Sequence, residues 1–155
     1  ALAPQRSSTP GIRTWRNVIA YVDTSVLLRI VLGESKPLRE WRSLDSVLSS
    51  ELIRVEALRS IDRARVLLKL DDSEIADRRA GVLQLLAGFR LVRMDSRVLA
   101  RAADPFPTLI RTLDAIHLAT ADLARRAIKD LMFATHDREL GIAATALGFR
   151  VIGTQ

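Results

Sequence analysis

Four carboxylates stand where side chains can do chemistry. Asp23 directly follows the apolar run Val18-Ile19-Ala20-Tyr21-Val22, and Asp137 stands two residues beyond a second run, Leu131-Met132-Phe133-Ala134-Thr135. An aspartate at the carboxyl end of a buried strand can hold a cation, and it can equally serve as a helix cap. Asp114 opens Leu113-Asp114-Ala115-Ile116-His117-Leu118-Ala119, a nearly all-apolar helical stretch. A helix apolar all round is buried, and a buried ionised carboxylate is costly without a partner. Glu56 has Leu52, Ile53, Arg59 and Ser60 three and four residues away, so it borders an apolar helix face.

Composition narrows what such a set could do. The chain has 155 residues, no cysteine, and only His117 and His136 as histidines. Thiolate sites, disulfides, cysteine nucleophiles and histidine-rich metal sites are therefore excluded. Any metal here is held by oxygen, which selects a hard cation. With 48% hydrophobic residues the chain is too apolar for disorder. No apolar stretch approaches the roughly 20 residues of a membrane span, and no signal peptide is visible, so a cytoplasmic protein is expected. The net charge is +6, but residues 1–17 carry Arg6, Arg13 and Arg16 and no acid, leaving 21 basic against 18 acidic residues elsewhere. Residues 1–17, with Pro4, Pro10 and Gly11 and no apolar periodicity, read as a disordered leader or a remnant. Residues 18–155 read as one domain, a usual size for a single core.

The elements that must position these acids alternate along the chain. Short apolar runs at Val18–Val22, Val47–Ser49, Phe89–Met94, Leu131–Thr135 and Phe149–Ile152 predict strands buried on both faces. Between them, Thr24-Ser25 cap a helix to Leu32, and Pro37 opens a short one to Leu44. Ser50 caps a helix over 51–70, Asp72 one to Ala87, and Asp95 one to Ala103. Helices over 112–127 and from Asp137 to Gly148 follow. Strands separated by helices predict an α/β fold with a parallel sheet covered on both faces. In such sheets, sites form beyond the carboxyl ends of the strands.

The segments Tyr-Val-Asp-Thr-Ser (21–25), Ser-Glu-Leu-Ile-Arg-Val-Glu-Ala-Leu-Arg (50–59), Leu-Asp-Ala-Ile-His-Leu-Ala (113–119) and Thr-His-Asp (135–137) resemble, in order and spacing, the four acidic motifs of PIN-domain nucleases. They are most similar to those of VapC-type bacterial toxins. The resemblance covers Val18 to Ile152 and implies a PIN-like three-layer fold, with about five parallel strands flanked by helices. It implies Mg²⁺- or Mn²⁺-dependent endoribonuclease activity, a small VapB-like antitoxin as partner, and a homodimer. Carried over, Asp23, Glu56, Asp114 and Asp137 are the acidic site, with Glu56 favoured over Glu51 by the Ala-Leu-Arg that follows it. His136 departs from the arginine or asparagine of many relatives.

The chemistry suits these residue types. Clustered carboxylates cannot all ionise without counter-charge, and a divalent ion that relieves them can also bind phosphate and orient hydroxide. Asp23 and Asp114 are expected as primary ligands, with Glu56 and Asp137 orienting water or holding a second ion. Thr24, Ser25, Arg111, Thr135 and Arg138 are candidate contacts to RNA, and His117 is expected as a satisfied packing residue. The Val66-Leu67-Leu68 and Leu83-Leu85-Leu86 segments fit interfaces and core packing equally well. Two rivals are a phosphoacceptor domain and a PIN-like module that binds without cleaving. The phosphatase form of the former needs an aspartate where Ser25 stands, and the receiver form needs a lysine after Lys129.

Overall fold

The computed structural model describes residues 17–154. Five strands are present: β1 (Ile19–Val22), β2 (Ser46–Ser50), β3 (Arg90–Val92), β4 (Met132–Ala134) and β5 (Val151–Ile152). Six α-helices separate them: α1 (Thr24–Val31), α2 (Leu52–Leu67), α3 (Asp72–Ala87), α4 (Ser96–Ala103), α5 (Thr112–Ala124) and α6 (Arg138–Ala146). Pro37 is followed by a single 3₁₀ turn, Arg39–Ser43, where a short helix was expected. The leader expected over residues 1–17 lies, apart from Asn17, outside the described residues.

All strand pairs are parallel, in the order β3-β2-β1-β4-β5. The central strand β1 shows why its sequence does not alternate, because Ala20, Tyr21 and Val22 are all fully buried. Tyr21, with Leu48 and Phe133, faces α5 and α6 through Leu118, Ala121, Leu140 and Ala144. Ala20, Val22, Met132 and Ala134 point the other way, onto Val26 of α1 and the 3₁₀ turn's Trp41. A further core joins α1, α2 and α3 through Leu27, Ile53, Ile61 and Val82. Helices on both faces of the sheet give three layers, as the resemblance implies.

The caps correct three local expectations. Asp23, not Thr24 or Ser25, caps α1 by accepting from the Val26 amide at 3.4 Å. Asp71, not Asp72, caps α3 in a reciprocal capping box with Glu74. Ser50 is the last residue of β2, and its hydroxyl accepts from the Leu52 amide at 3.2 Å while Glu51 holds the cap position without a side-chain bond. Adjacent acids or hydroxyls compete for one cap, and one-residue register decides between them. The Leu83-Leu85-Leu86 segment divides, with Leu86 in the core and Leu83 exposed, whereas Val66, Leu67 and Leu68 are all exposed. No helix among the described residues is long and apolar enough to cross a membrane.

Candidate active site

The sheet order places the site. Connections from β1 run outward through β2 and β3, and those from β4 run the other way to β5, so the order reverses between β1 and β4. At such a reversal the loops part and leave a crevice beyond the strand ends. Asp23 follows β1 and Asp137 follows β4, one on each side of it. Asp114 comes in from the first turn of α5 and Glu56 from the second turn of α2.

Hydrogen bonds tie the two junctions together. Asp23 is only 5% exposed, and its carboxylate accepts from Ser25 Oγ at 2.6 Å and Thr135 Oγ1 at 2.8 Å. Thr135 Oγ1 accepts the Asp137 amide at 2.9 Å, and Ser25 Oγ accepts the His136 amide at 2.8 Å. The loop after β4 is held from behind by Gly153, whose carbonyl accepts from His136 Nδ1 at 2.7 Å. Gly153 has φ +97, and a Cβ there would stand 2.6 Å from the Thr135 carbonyl oxygen. Only glycine fits that approach.

Glu56 is anchored separately. His117 Nε2 and Thr24 Oγ1, the latter at 2.7 Å, both donate to its Oε1. His117 Nδ1 lies 2.7 Å from the Tyr21 hydroxyl, which also accepts the Ser50 amide at 3.2 Å. His117 is thus a buried, satisfied histidine, as expected, and also the support of a site carboxylate. The tyrosine was missed by sequence reasoning. Its signal was available: a phenol on a strand buried on both faces must find a polar partner. Glu51 is outside this network and accepts instead from the Met94 amide at 3.2 Å.

The outer part is ionic. Arg111 Nε donates to Asp114 Oδ2 at 3.0 Å, and its Nη2 to Asp137 Oδ2 at 3.1 Å. Asp137 Oδ1 also caps α6 through the Leu140 amide at 3.0 Å. Asp114 and Asp137 are 18% and 29% exposed, whereas Arg111 is 73% exposed. Arg138 is exposed on the first turn of α6. A further buried acid, Asp122, was not anticipated; Arg101 and Arg125 pair with it on α5, at 2.8 and 2.6 Å.

The electrostatics follow from these surroundings. Burial pushes the Asp23 carboxyl up, against the charge of His117 and the bonds from Ser25 and Thr135. Burial also pushes Asp114 up and the Asp137 charge adds to it, while Arg111 works the other way. At Glu56 burial raises the carboxyl, but the hydrogen bond and charge of His117, then Thr24 and Arg111, outweigh it and hold it below its usual range. Burial drives the Tyr21 phenol far up, so it stays protonated.

These residues suit a hard cation by chemistry. The donors are carboxylate oxygens beyond the carboxyl ends of the strands, burial raises two of them, Asp23 and Asp114, and Asp114 and Asp137 already share a positive group in Arg111. Among the described residues no group of three His, Cys, Asp or Glu side chains is arranged to hold a metal ion as they stand. Glu56 is engaged by His117 and Thr24, and Asp114 and Asp137 by Arg111.

Comparison with known proteins agrees with this architecture. The PIN domain family matches residues 20–146. The chain is 38% identical over 135 residues to Ribonuclease VapC46 of Mycobacterium tuberculosis, covering 85% of this chain and 95% of that one. It is 28% identical over 131 residues to Ribonuclease VapC47 of the same organism, covering 83% and 92%. The crystal structure of PAE2754 from Pyrobaculum aerophilum superposes with a TM-score of 0.56 at 18% identity, over 93% of this chain and 92% of that one. VapBC-5 of Mycobacterium tuberculosis, a member of the VapBC toxin–antitoxin systems, gives 0.53 at 20% identity, over 87% and 98%. These two share the fold. With a five-stranded parallel sheet, acids at its reversal point and this family match, the chain belongs to the PIN-domain family, among its VapC-like members.

Proposed function

We propose that this protein is a metal-dependent endoribonuclease, the toxin of a toxin–antitoxin pair, with residues 18–155 as its single catalytic domain. The observation that carries the reading is the bonded network that links the four carboxylates, in which Thr135 joins Asp23 to Asp137, Arg111 joins Asp137 to Asp114, and Thr24 beside Asp23 holds Glu56, in a chain similar to two proteins named as ribonucleases. Asp23 and Asp114 would hold Mg²⁺ or Mn²⁺, with Glu56 and Asp137 completing the site, and the ion would supply Lewis acidity for a phosphodiester and lower the pKa of water.

The chain's own groups do the rest. Ser25 and Thr135 fix both oxygens of Asp23, so the carboxylate enters the reaction without reorientation. His117 and Thr24 fix one oxygen of Glu56 and leave the other free to accept a proton or orient a water. Thr24, Ser25 and Thr135 act mainly through these carboxylates, whereas Arg111 and Arg138 are the cations exposed to an incoming backbone. A small VapB-like antitoxin, a homodimer and a cytoplasmic location belong to the same reading.

The test is digestion of a pooled RNA in Mg²⁺, Mn²⁺ or EDTA, with mapping of the new ends. Cleavage should require the metal and fall by about 10²–10³-fold in Asp23→Ala and Asp114→Ala. Circular dichroism should show both variants folded. Full activity in either purified variant would sink the assignment.

A further inference from the structure

We propose that Arg111 is a tethered counter-ion that occupies the metal's place at Asp114 and Asp137 and must leave when the metal enters. The inference rests on the metal-site reading above and adds a competitor built into the chain. The guanidinium bridges two carboxylates that belong to different elements, with Asp114 Oδ2 at 3.0 Å and Asp137 Oδ2 at 3.1 Å. These are oxygens that a cation shared by the two acids would use.

Helix capping does not explain why an arginine stands there. Arg111 occupies the cap position of α5 and makes no side-chain capping bond. A cation at a helix N-terminus opposes the helix dipole, which favours acids such as Asp114 in the first turn. The two carboxylates are therefore what hold it. Without a positive group between them they would repel each other at close range. Arg111 relieves that repulsion in the metal-free protein.

The same geometry makes the arrangement reversible. Arg111 is 73% exposed, so its release strands no buried charge. A divalent ion at the same oxygens would face a like charge within a few ångströms, and guanidinium and metal exclude one another. Asp23 and Glu56 differ, because their Ser25, Thr135 and Thr24 donors are uncharged hydroxyls that can stay in place beside a metal. Expelled from the acids, the fork keeps its five donors and stands three residues from Asp114, where an incoming phosphate offers the matching acceptors. Metal loading thereby converts an internal ion pair into a free phosphate-binding group.

Mn²⁺ binding, followed by loss of the free-ion paramagnetic resonance signal, tests this without RNA. Arg111→Ala should bind Mn²⁺ roughly three- to tenfold more tightly than wild type at low salt. The gap should narrow as ionic strength rises. In thermal melts Arg111→Ala should start lower than wild type in EDTA and gain more from Mn²⁺. Equal or weaker Mn²⁺ binding by Arg111→Ala, beside a wild type that binds, would overturn the proposal and leave the metal site standing. Asp23→Asn separates the other failure: if wild type takes up no more Mn²⁺ than Asp23→Asn, the metal-site reading itself falls and the proposal with it.

Discussion

The inner and outer parts of the acidic cluster are held by different forces. Asp23 and Glu56 are fixed by short bonds from Ser25, Thr135, Thr24 and His117, all of them buried or part-buried. Asp114 and Asp137 share one exposed arginine. Hydrogen bonds in a low-dielectric interior are strong and costly to leave unmade. Exposed ion pairs are weak and screened. The inner pair is thus built into the fold, whereas the outer pair is a fitting that can be exchanged. One crevice combines a rigid wall with an adjustable one.

The largest effect that tests this contrast comes from the inner wall. His117→Ala removes a 2%-exposed side chain and strips partners from both Tyr21 and Glu56. Denaturant unfolding should show a loss of about 2–4 kcal/mol. A loss near zero would mean that the inner network is no more structural than the outer ion pair.

A second, intermediate effect is the response to pH in metal-free buffer. The raised Asp23 and Asp114 bind protons more tightly in the folded state than in the unfolded chain. Stability from them should therefore grow as pH falls from neutral through their folded values toward the ordinary 3.8 of aspartate. Glu56 has the opposite sign: its contribution is complete above the ordinary 4.5 and is lost as pH falls through its depressed value. Melting temperature should rise on mild acidification and then turn down, and Asp23→Asn should flatten the rise. An unchanged rise in that variant would remove Asp23 from the strained set.

The smallest effect belongs to the outer wall. Asp137→Ala loses the α6 cap, at about 1 kcal/mol, whereas Asp137→Asn keeps an acceptor for the Leu140 amide and should unfold close to wild type. If Asn costs as much as Ala, the ion pair with Arg111 contributes more than an exposed bridge ordinarily does.

Much of the inner wall is legible in the sequence. Asp23 and Asp137 follow buried runs, and their capping of α1 and α6 is a contact within three residues. Glu56 was separable from Glu51 by motif context, and the half-buried helix face agrees. Cap register was harder, since Asp71 and Asp72 differ by one position and both suit a cap. The ties of His117 to Glu56, 61 residues away, and to Tyr21, 96 residues away, lay beyond any local pattern. So did the bridge from Arg111 to Asp137 across 26 residues.

The sequence by itself determined the alternation of strands and helices and the acids that end or open them. Those features rest on the two-residue and 3.6-residue periods and on capping within a turn, and every short window carries them. Only the tertiary structure decided that β4 lies beside β1, which brings Asp137 to Asp23 through Thr135. Strand order depends on how whole helices pack against the sheet and is absent from any single segment. The same packing set Arg111 between two acids from separate elements, and long-range electrostatics then gave that residue its place.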